Sequence, residues 1–148
     1  MDGLHLTADL AGCDAPAALM TDGQALAELC REAVRASGLQ PVGELFHRFE
    51  PTGDGIAAGV TGVVLLAESH VAIHTWPELR AVTLDVYVCN LGRDNGDRAR
   101  ELLGRLRGAF RPAAVESHQL LRGALARSAA AAPAPAACPS VKASSNTE

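Results

Sequence analysis

VTGVVLLAESHVAIHTWPELRAVTLDVYVC, residues 60–89, contains three consecutive stretches with the character of β-strands. The first is a continuous apolar run, which is typical of a buried strand. The second is rich in β-branched and aromatic residues and ends at Pro77, which cannot donate a hydrogen bond to a sheet. The third alternates apolar and polar residues, so its apolar side chains share one face. Together these stretches predict the centre of a mainly antiparallel sheet.

The sequence on either side of this stretch predicts two amphipathic helices and three further strands. The strands are expected at residues 3–12, 40–49 and 113–123, and the helices at residues 21–38 and 95–110. Both helices can bury their apolar stripes on one face of the sheet, which gives an α+β fold built as a two-layer sandwich. The opposite face of the sheet then needs a cover, and a second copy of the chain is the simplest one. We therefore expect a homodimer.

The composition is that of a globular protein without a basic or membrane-spanning segment. The 148 residues carry a formal net charge of −4 with scattered Lys and Arg, which argues against nucleic acid or an anionic membrane as a partner. The apolar runs are too short to span a bilayer, and no basic-then-apolar leader precedes them, so we expect a cytoplasmic protein. The four cysteines show no C-x-x-C spacing and are expected to be free thiols. We expect one domain over residues 1–126 and a disordered Ala/Pro/Ser-rich tail over residues 127–148.

The pair Glu68-Ser69 is the unusual feature of the central stretch. A serine hydrolase needs a G-x-S-x-G turn between a strand and a helix, and the sequence around Ser69 has neither the glycines nor the helix. A metal site is not expected either, because His70 and His74 would lie about 13 Å apart along a strand. Alternation also places Ser69 and His74 on opposite faces of an unbroken strand.

The peptide bond between Glu68 and Ser69 offers a third kind of chemistry. A serine hydroxyl can attack the carbonyl carbon of the preceding residue and convert the amide into an ester. That rearrangement needs a strained peptide, a basic group and a donor that holds the oxyanion. His74, and a hydroxyl on a neighbouring strand such as that of Thr61, are groups of the right types.

Four blocks of the chain resemble a known family. They are GLHLTADLAGCD (3–14), FHRF (46–49), GVTGVVLLAESHVAIHTWPE (59–78) and LDVYVCN (84–90). In order and spacing they resemble the small prokaryotic form of S-adenosylmethionine decarboxylase, over residues 3–123. The long block ESHVAIHTWPE makes this resemblance specific.

The resemblance implies that the chain is made as an inactive precursor that cuts itself between Glu68 and Ser69. Residues 1–68 then form the β chain and residues 69–148 the α chain, and Ser69 becomes a pyruvoyl group. The implied steps are ester formation, β-elimination, and hydrolysis with loss of ammonia. The pyruvoyl group then forms a Schiff base with S-adenosylmethionine and accepts the electrons released as carbon dioxide leaves.

The resemblance also implies roles for five other residues. His74 matches the histidine that assists processing, Thr61 the hydroxyl that helps the acyl shift, and Cys89 the proton donor of the decarboxylation. Phe49 matches an aromatic ring that stacks on adenine, and Glu78 matches a carboxylate at the ribose. From the residues alone, Cys89 and Phe49 also fit core positions, and Glu78 also fits a solvated turn.

Two other functions fit the same residues. The pyruvoyl chemistry can serve a basic amino acid, as in an ornithine or arginine decarboxylase, because self-processing by itself does not define the substrate. A homologue that does not process itself can instead act as a regulatory subunit of an active one. The chain also departs from the family pattern in a longer loop before Thr61 and in Asn90, which replaces the glycine that often follows the cysteine.

Overall fold

Six strands form one antiparallel sheet in the part of the chain that the structure describes. This computed structural model describes residues 2–51, 57–67, 69–90 and 92–123. The strands are β1 Gly3–Ala11, β2 Pro41–Arg48, β3 Val60–Leu66, β4 Ser69–Trp76, β5 Ala81–Cys89 and β6 Ala114–Arg122. Their order across the sheet is β2-β3-β4-β5-β1-β6, and neighbours are antiparallel. The predicted antiparallel sheet is confirmed, with the central stretch supplying three adjacent strands.

The α-helices of the described ranges pack on one face of this sheet, as predicted. They are α1 Ala17–Thr21, α2 Gly23–Ala36 and α3 Gly96–Phe110. Asp22 caps the start of helix α2, and its carboxylate accepts hydrogen bonds from the backbone N–H groups of Gln24 and Ala25. The chain leaves α2 through Gly38, whose φ of +71° favours glycine. The five-residue helix α1 is not predicted by the hydrophobic pattern.

The core lies between the helices and the inner face of the sheet. Alternate residues of β1, β4 and β5 point into it, and the apolar stripes of α2 and α3 cover them. The largest fully buried side chains include Phe110, Leu10, Leu26, Ile73 and Leu102. Cys30 of α2 is buried among them, and this burial raises the pKa of its thiol to about 12.

Thr75 is a buried polar residue that joins three elements of the core. Its hydroxyl donates a hydrogen bond to the carbonyl oxygen of Met20 in α1 at 2.7 Å. The same oxygen accepts a hydrogen bond from the backbone N–H of Val60 in β3 at 2.8 Å. These two bonds fix the end of β4 against β3 and α1.

The outer face of the sheet carries no helix in the described ranges. Exposed apolar side chains lie on it, including Leu45 on β2, Leu65 on β3 and Trp76 on β4. The sequence predicts a second copy of the chain as the cover for this face, and this stays a prediction. No described helix is both long and apolar enough to cross a membrane. The predicted disordered tail at 127–148 lies outside the described residues.

Candidate active site

Ser69 and Cys89 meet where β4 begins and β5 ends. The backbone N–H of Cys89 donates a hydrogen bond to Ser69 Oγ at 3.1 Å. Both residues line a cavity of about 350 Å³. The Cys89 side chain is buried, and the alternation of buried and part-exposed residues along β5 ends there, because Val88 and Cys89 are both buried. The serine hydroxyl therefore has a backbone donor and open space beside it.

Asn95, the residue that precedes α3, lines the same cavity. Its Nδ2 donates to the carbonyl oxygen of Cys89 at 3.0 Å, and its backbone N–H donates to Oδ1 of Asn90 at 2.9 Å. Its own Oδ1 is buried and has no hydrogen-bond partner among the described residues. A buried acceptor without a partner is unfavourable by about 1–3 kcal/mol, so this oxygen is suited to accept from a bound donor.

Thr61 and His74 form a second cluster, on β3 and β4. They lie directly opposite each other in the register of the two strands. Thr61 Oγ1 and His74 Nδ1 are hydrogen-bonded at 2.7 Å, and either atom can donate. His47 lies opposite Thr61 on β2, so the three side chains form a row across the outer face.

A second cavity, also of about 350 Å³, lies beside the Thr61–His74 cluster. The residues around it include Phe49, Trp76, Glu50, Glu78 and His74. Phe49 is 49% exposed, so its ring is not a core side chain. Two aromatic rings and two carboxylates are groups that suit a planar heterocycle bearing hydroxyl groups.

The Ser69 and His74 clusters lie apart within one chain. Strand β4 is unbroken, so five residues, or about 16 Å, separate Ser69 from His74. The two side chains also point to opposite faces, because Val71 is buried on the inner face whereas His74 is exposed. The structure thus brings the predicted site residues together as two groups: Ser69 with Cys89, and Thr61 with His74, Phe49 and Glu78.

A third cluster contains side chains for which the sequence predicts no function. Asp85 Oδ1 on β5 accepts a hydrogen bond from Nε2 of His5 on β1 at 2.7 Å. The same oxygen lies 3.6 Å from Nε2 of His70, the residue after Ser69. His5 and Asp85 are 80 positions apart, so their spacing carries no signal. In the described ranges no group of three or more His, Cys, Asp or Glu side chains is arranged to hold a metal ion.

The predicted site and the described site differ at two residues. Glu68, which precedes the cut, lies outside the described residues. Asn95 was not singled out by the sequence, although it follows an Asp in a pattern typical of a helix start. That pattern can predict a helix cap, whereas the contact of Asn95 with the Cys89 carbonyl depends on the fold.

The sequence of the chain is similar to those of known S-adenosylmethionine decarboxylases. The model of the family described as S-adenosylmethionine decarboxylase matches residues 4–123. The chain is 35% identical to the S-adenosylmethionine decarboxylase proenzyme of Picrophilus torridus, over 82% of this chain and 84% of the relative. It is 35% identical to the proenzyme of Thermoplasma volcanium, over 83% of this chain and 85% of the relative.

A solved structure agrees with the sequence relatives. The crystal structure of the adenosylmethionine decarboxylase from Aquifex aeolicus superposes with a TM-score of 0.68 at 32% identity. The match covers 80% of this chain and 88% of that one. The sheet and helices described above are therefore similar to those of that enzyme.

Proposed function

Because the chain belongs to the S-adenosylmethionine decarboxylase family, we propose that it removes the carboxylate of S-adenosylmethionine as carbon dioxide. The product, decarboxylated S-adenosylmethionine, is an aminopropyl donor for spermidine synthesis. The observation that carries this proposal is the family match over residues 4–123, which includes all of the described site. The relatives are named proenzymes, which supports activation by processing of a precursor.

We propose that Ser69 cuts its own chain. Its Oγ attacks the carbonyl carbon of Glu68, so that the peptide C–N bond breaks, an ester C–O bond forms and residue 69 gains a free amine. Loss of the Cα proton then breaks the Cβ–Oγ bond, and the oxygen leaves with the new C-terminal carboxylate of the β chain. Water finally replaces the amine nitrogen, which is released as ammonia. The position of Ser69 at the start of β4, with open space beside its hydroxyl, supports this sequence.

The residues around Ser69 fit a pyruvoyl group formed at this position. The Cys89 N–H that donates to Ser69 Oγ can donate to a carbonyl oxygen on residue 69 after processing. A pyruvoyl carbonyl supplies an electrophile for the substrate amine and a sink for the electrons of decarboxylation. The unpartnered Oδ1 of Asn95 in the same cavity can accept from the amino group of the substrate.

Cys89 is proposed as the group that protonates the substrate carbon after carbon dioxide leaves. A thiol can act as a general acid, and Cys89 lines the same cavity as residue 69. Asn95 holds the backbone of Cys89 through its carbonyl oxygen. The position of the thiol is therefore set by β5 on one side and by the start of α3 on the other.

We propose that two copies of the chain share each active site. A hydrogen bond spans about 3 Å, whereas His74 lies about 16 Å from Ser69 along the same strand. A twofold axis can place Thr61 and His74, on the outer face of one copy, against the end of β4 and β5 that carries Ser69 and Cys89 in the other copy. The exposed Leu45 on that face supports such a contact, because a second copy would remove it from water.

The cavity beside His74 is proposed to receive the adenosine part of the substrate. Phe49 would stack on adenine, and Glu78 would accept hydrogen bonds from the ribose hydroxyl groups. This placement puts the nucleoside on the same copy as His74. The amino-acid end of the substrate then reaches residue 69 of the other copy.

Carbon dioxide release tests the proposed function. Purified protein should release carbon dioxide from carboxyl-labelled S-adenosylmethionine, whereas the Ser69→Ala variant should release none. Release from ornithine or arginine alone would replace the proposed substrate with a basic amino acid. An uncut chain that releases carbon dioxide from none of the three would point to a regulatory homologue.

A further inference from the structure

We propose that Asp85 and Tyr87 hold His70 on the outer face and thereby fix residue 69 for turnover after the chain is cut. His70 and Asp85 are then positioning residues, which act through residue 69 without touching the substrate. This inference rests on the proposed cut between Glu68 and Ser69.

His70 is held from two directions on β5. It lies directly opposite Tyr87 in the register of β4 and β5, and the centroids of the two rings are 5.6 Å apart. Its Nε2 lies 3.6 Å from Oδ1 of Asp85, two residues before Tyr87. The imidazole therefore lies between an aromatic ring and a carboxylate of the neighbouring strand.

The two groups that hold His70 are themselves fixed by β1. His5 donates to Asp85 Oδ1 at 2.7 Å, and its ring lies 5.9 Å from that of Tyr87 at 74°. Tyr87 also packs against β1 at Gly3, where a Cβ would lie only 2.6 Å from the tyrosine hydroxyl oxygen. His5 is mostly buried, with 18% of its side chain exposed. The cluster is thus a fixed arrangement across three adjacent strands.

The cut removes the covalent restraint on residue 69. In the uncut chain, Ser69 is continuous with the preceding residue and its Oγ accepts the Cys89 N–H. Processing breaks that continuity and transfers Oγ to the β chain, so residue 69 keeps the pairing with β3 and a Cys89 N–H that can donate to its new carbonyl oxygen, but loses the covalent link to the preceding residue. A new chain end frays unless it is tied down. His70 is the first side chain after the new end, so its contacts are the nearest side-chain contacts that can oppose fraying.

The contacts that hold His70 on the outer face also orient residue 69. Successive side chains of a strand point to opposite faces, so holding His70 outward keeps residue 69 directed to the cavity that it shares with Cys89. Displacement of a reacting group by about 1 Å can cost about a hundredfold in rate. The cluster therefore supports turnover more than it supports the cut itself.

Kinetics on the cut enzyme provide the first test. His70→Ala should still be cut, should lower kcat by about tenfold or more, and should leave KM close to that of the wild type. His70→Gln should recover much of kcat, because its amide NH₂ can lie beside the Asp85 carboxylate where the imidazole lies. Asp85→Asn, which keeps the shape but removes the charge, should lower kcat in the same way and offers a second variant if His70→Ala does not fold.

Hydrogen exchange provides a readout that does not depend on activity. The backbone amides of residues 70–72 should exchange faster in cut His70→Ala than in the cut wild type. The same substitution in an uncut Ser69→Ala chain should leave these amides slow, because chain continuity still restrains them. His118→Ala is the matched control, since His118 forms a similar contact of 3.2 Å with Glu116 on β6 of the same sheet, far along the chain from the cut. That variant should change neither kcat nor the exchange.

Three results would overturn the inference. They are a wild-type kcat in both His70→Ala and Asp85→Asn, equal exchange in the cut wild type and cut His70→Ala, or an equal loss of cutting, stability and turnover in these variants. The last result would indicate a merely structural role. A wild-type chain that neither cuts itself nor releases carbon dioxide would instead contradict the proposed function, so the two failures are distinguishable.

Discussion

Complementation between two inactive variants tests whether each active site is shared by two copies. Ser69→Ala removes the nucleophile but keeps Thr61 and His74, whereas His74→Ala removes the processing histidine but keeps Ser69. Each variant should remain uncut when it is produced alone. In a mixed dimer, one of the two sites combines an intact Ser69 with an intact His74 from the other copy.

The expected amount of cutting follows from the geometry. A chain cannot bring its own His74 to its own Ser69, because about 16 Å of unbroken strand lies between them. If the copies pair at random, about half of the dimers are mixed, as expected for a twofold interface. At most about half of the His74→Ala chains should therefore be cut, and none of the Ser69→Ala chains.

The assay is co-production of the two variants with different affinity tags, followed by a denaturing gel that resolves the tags. The control replaces the Ser69→Ala chain with a Ser69→Ala/His74→Ala double variant, which supplies no histidine and should leave the partner uncut. Complete absence of cutting in the mixed sample, with mixed dimers demonstrated by sequential purification on the two tags, would refute the shared site.

Three further predictions concern single side chains. Cys89→Ala should leave most of the self-cleavage but lower turnover by about 10²–10⁴-fold; normal turnover would remove Cys89 from the reaction. Thr75→Val should lower the free energy of unfolding, measured by urea titration, by about 2 kcal/mol or more, because it leaves two buried backbone groups without partners. The control variant Thr83→Val, on the outer face, should change that free energy by less than about 0.5 kcal/mol. Burial raises the pKa of the Cys30 thiol from 9.0 to about 12, so above about pH 9 the unfolded chain loses a proton that the folded chain keeps, and stability falls as the pH rises. At about pH 10.5 this loss should be about 2 kcal/mol larger in the wild type than in Cys30→Ala, and parallel pH profiles of the two proteins would contradict the assignment.

The sequence predicted the sheet because the signals for its central strands are local. Alternation along residues 80–89 identified the buried face of β5, and Pro77 marked the end of β4. The same signals do not state which face of β2 is buried, and Leu45, an apolar residue of that strand, is exposed on the outer face. The helix α1 is too short to show a helical period, so it carries no pattern to read.

The sequence predicted which residues form the candidate site better than it predicted how they are arranged in space. Alternation already placed Ser69 and His74 on opposite faces, and the structure retains that separation because β4 pairs with strands on both sides. The link between His5 and Asp85 joins positions 80 residues apart, and it exists only because β1 lies beside β5 in the sheet. Contacts of this kind depend on strand order and register, which the pattern of a single strand does not determine.

Intact mass spectrometry of the purified protein tests the central claim most directly, because the proposed chemistry leaves a defined mark on residue 69. We predict two chains, residues 1–68 and residues 69–148, with the second lighter by one ammonia than a chain that begins with serine. The Ser69→Ala variant should give one uncut chain. A single uncut wild-type chain, or a second chain that begins with unmodified serine, would contradict the account.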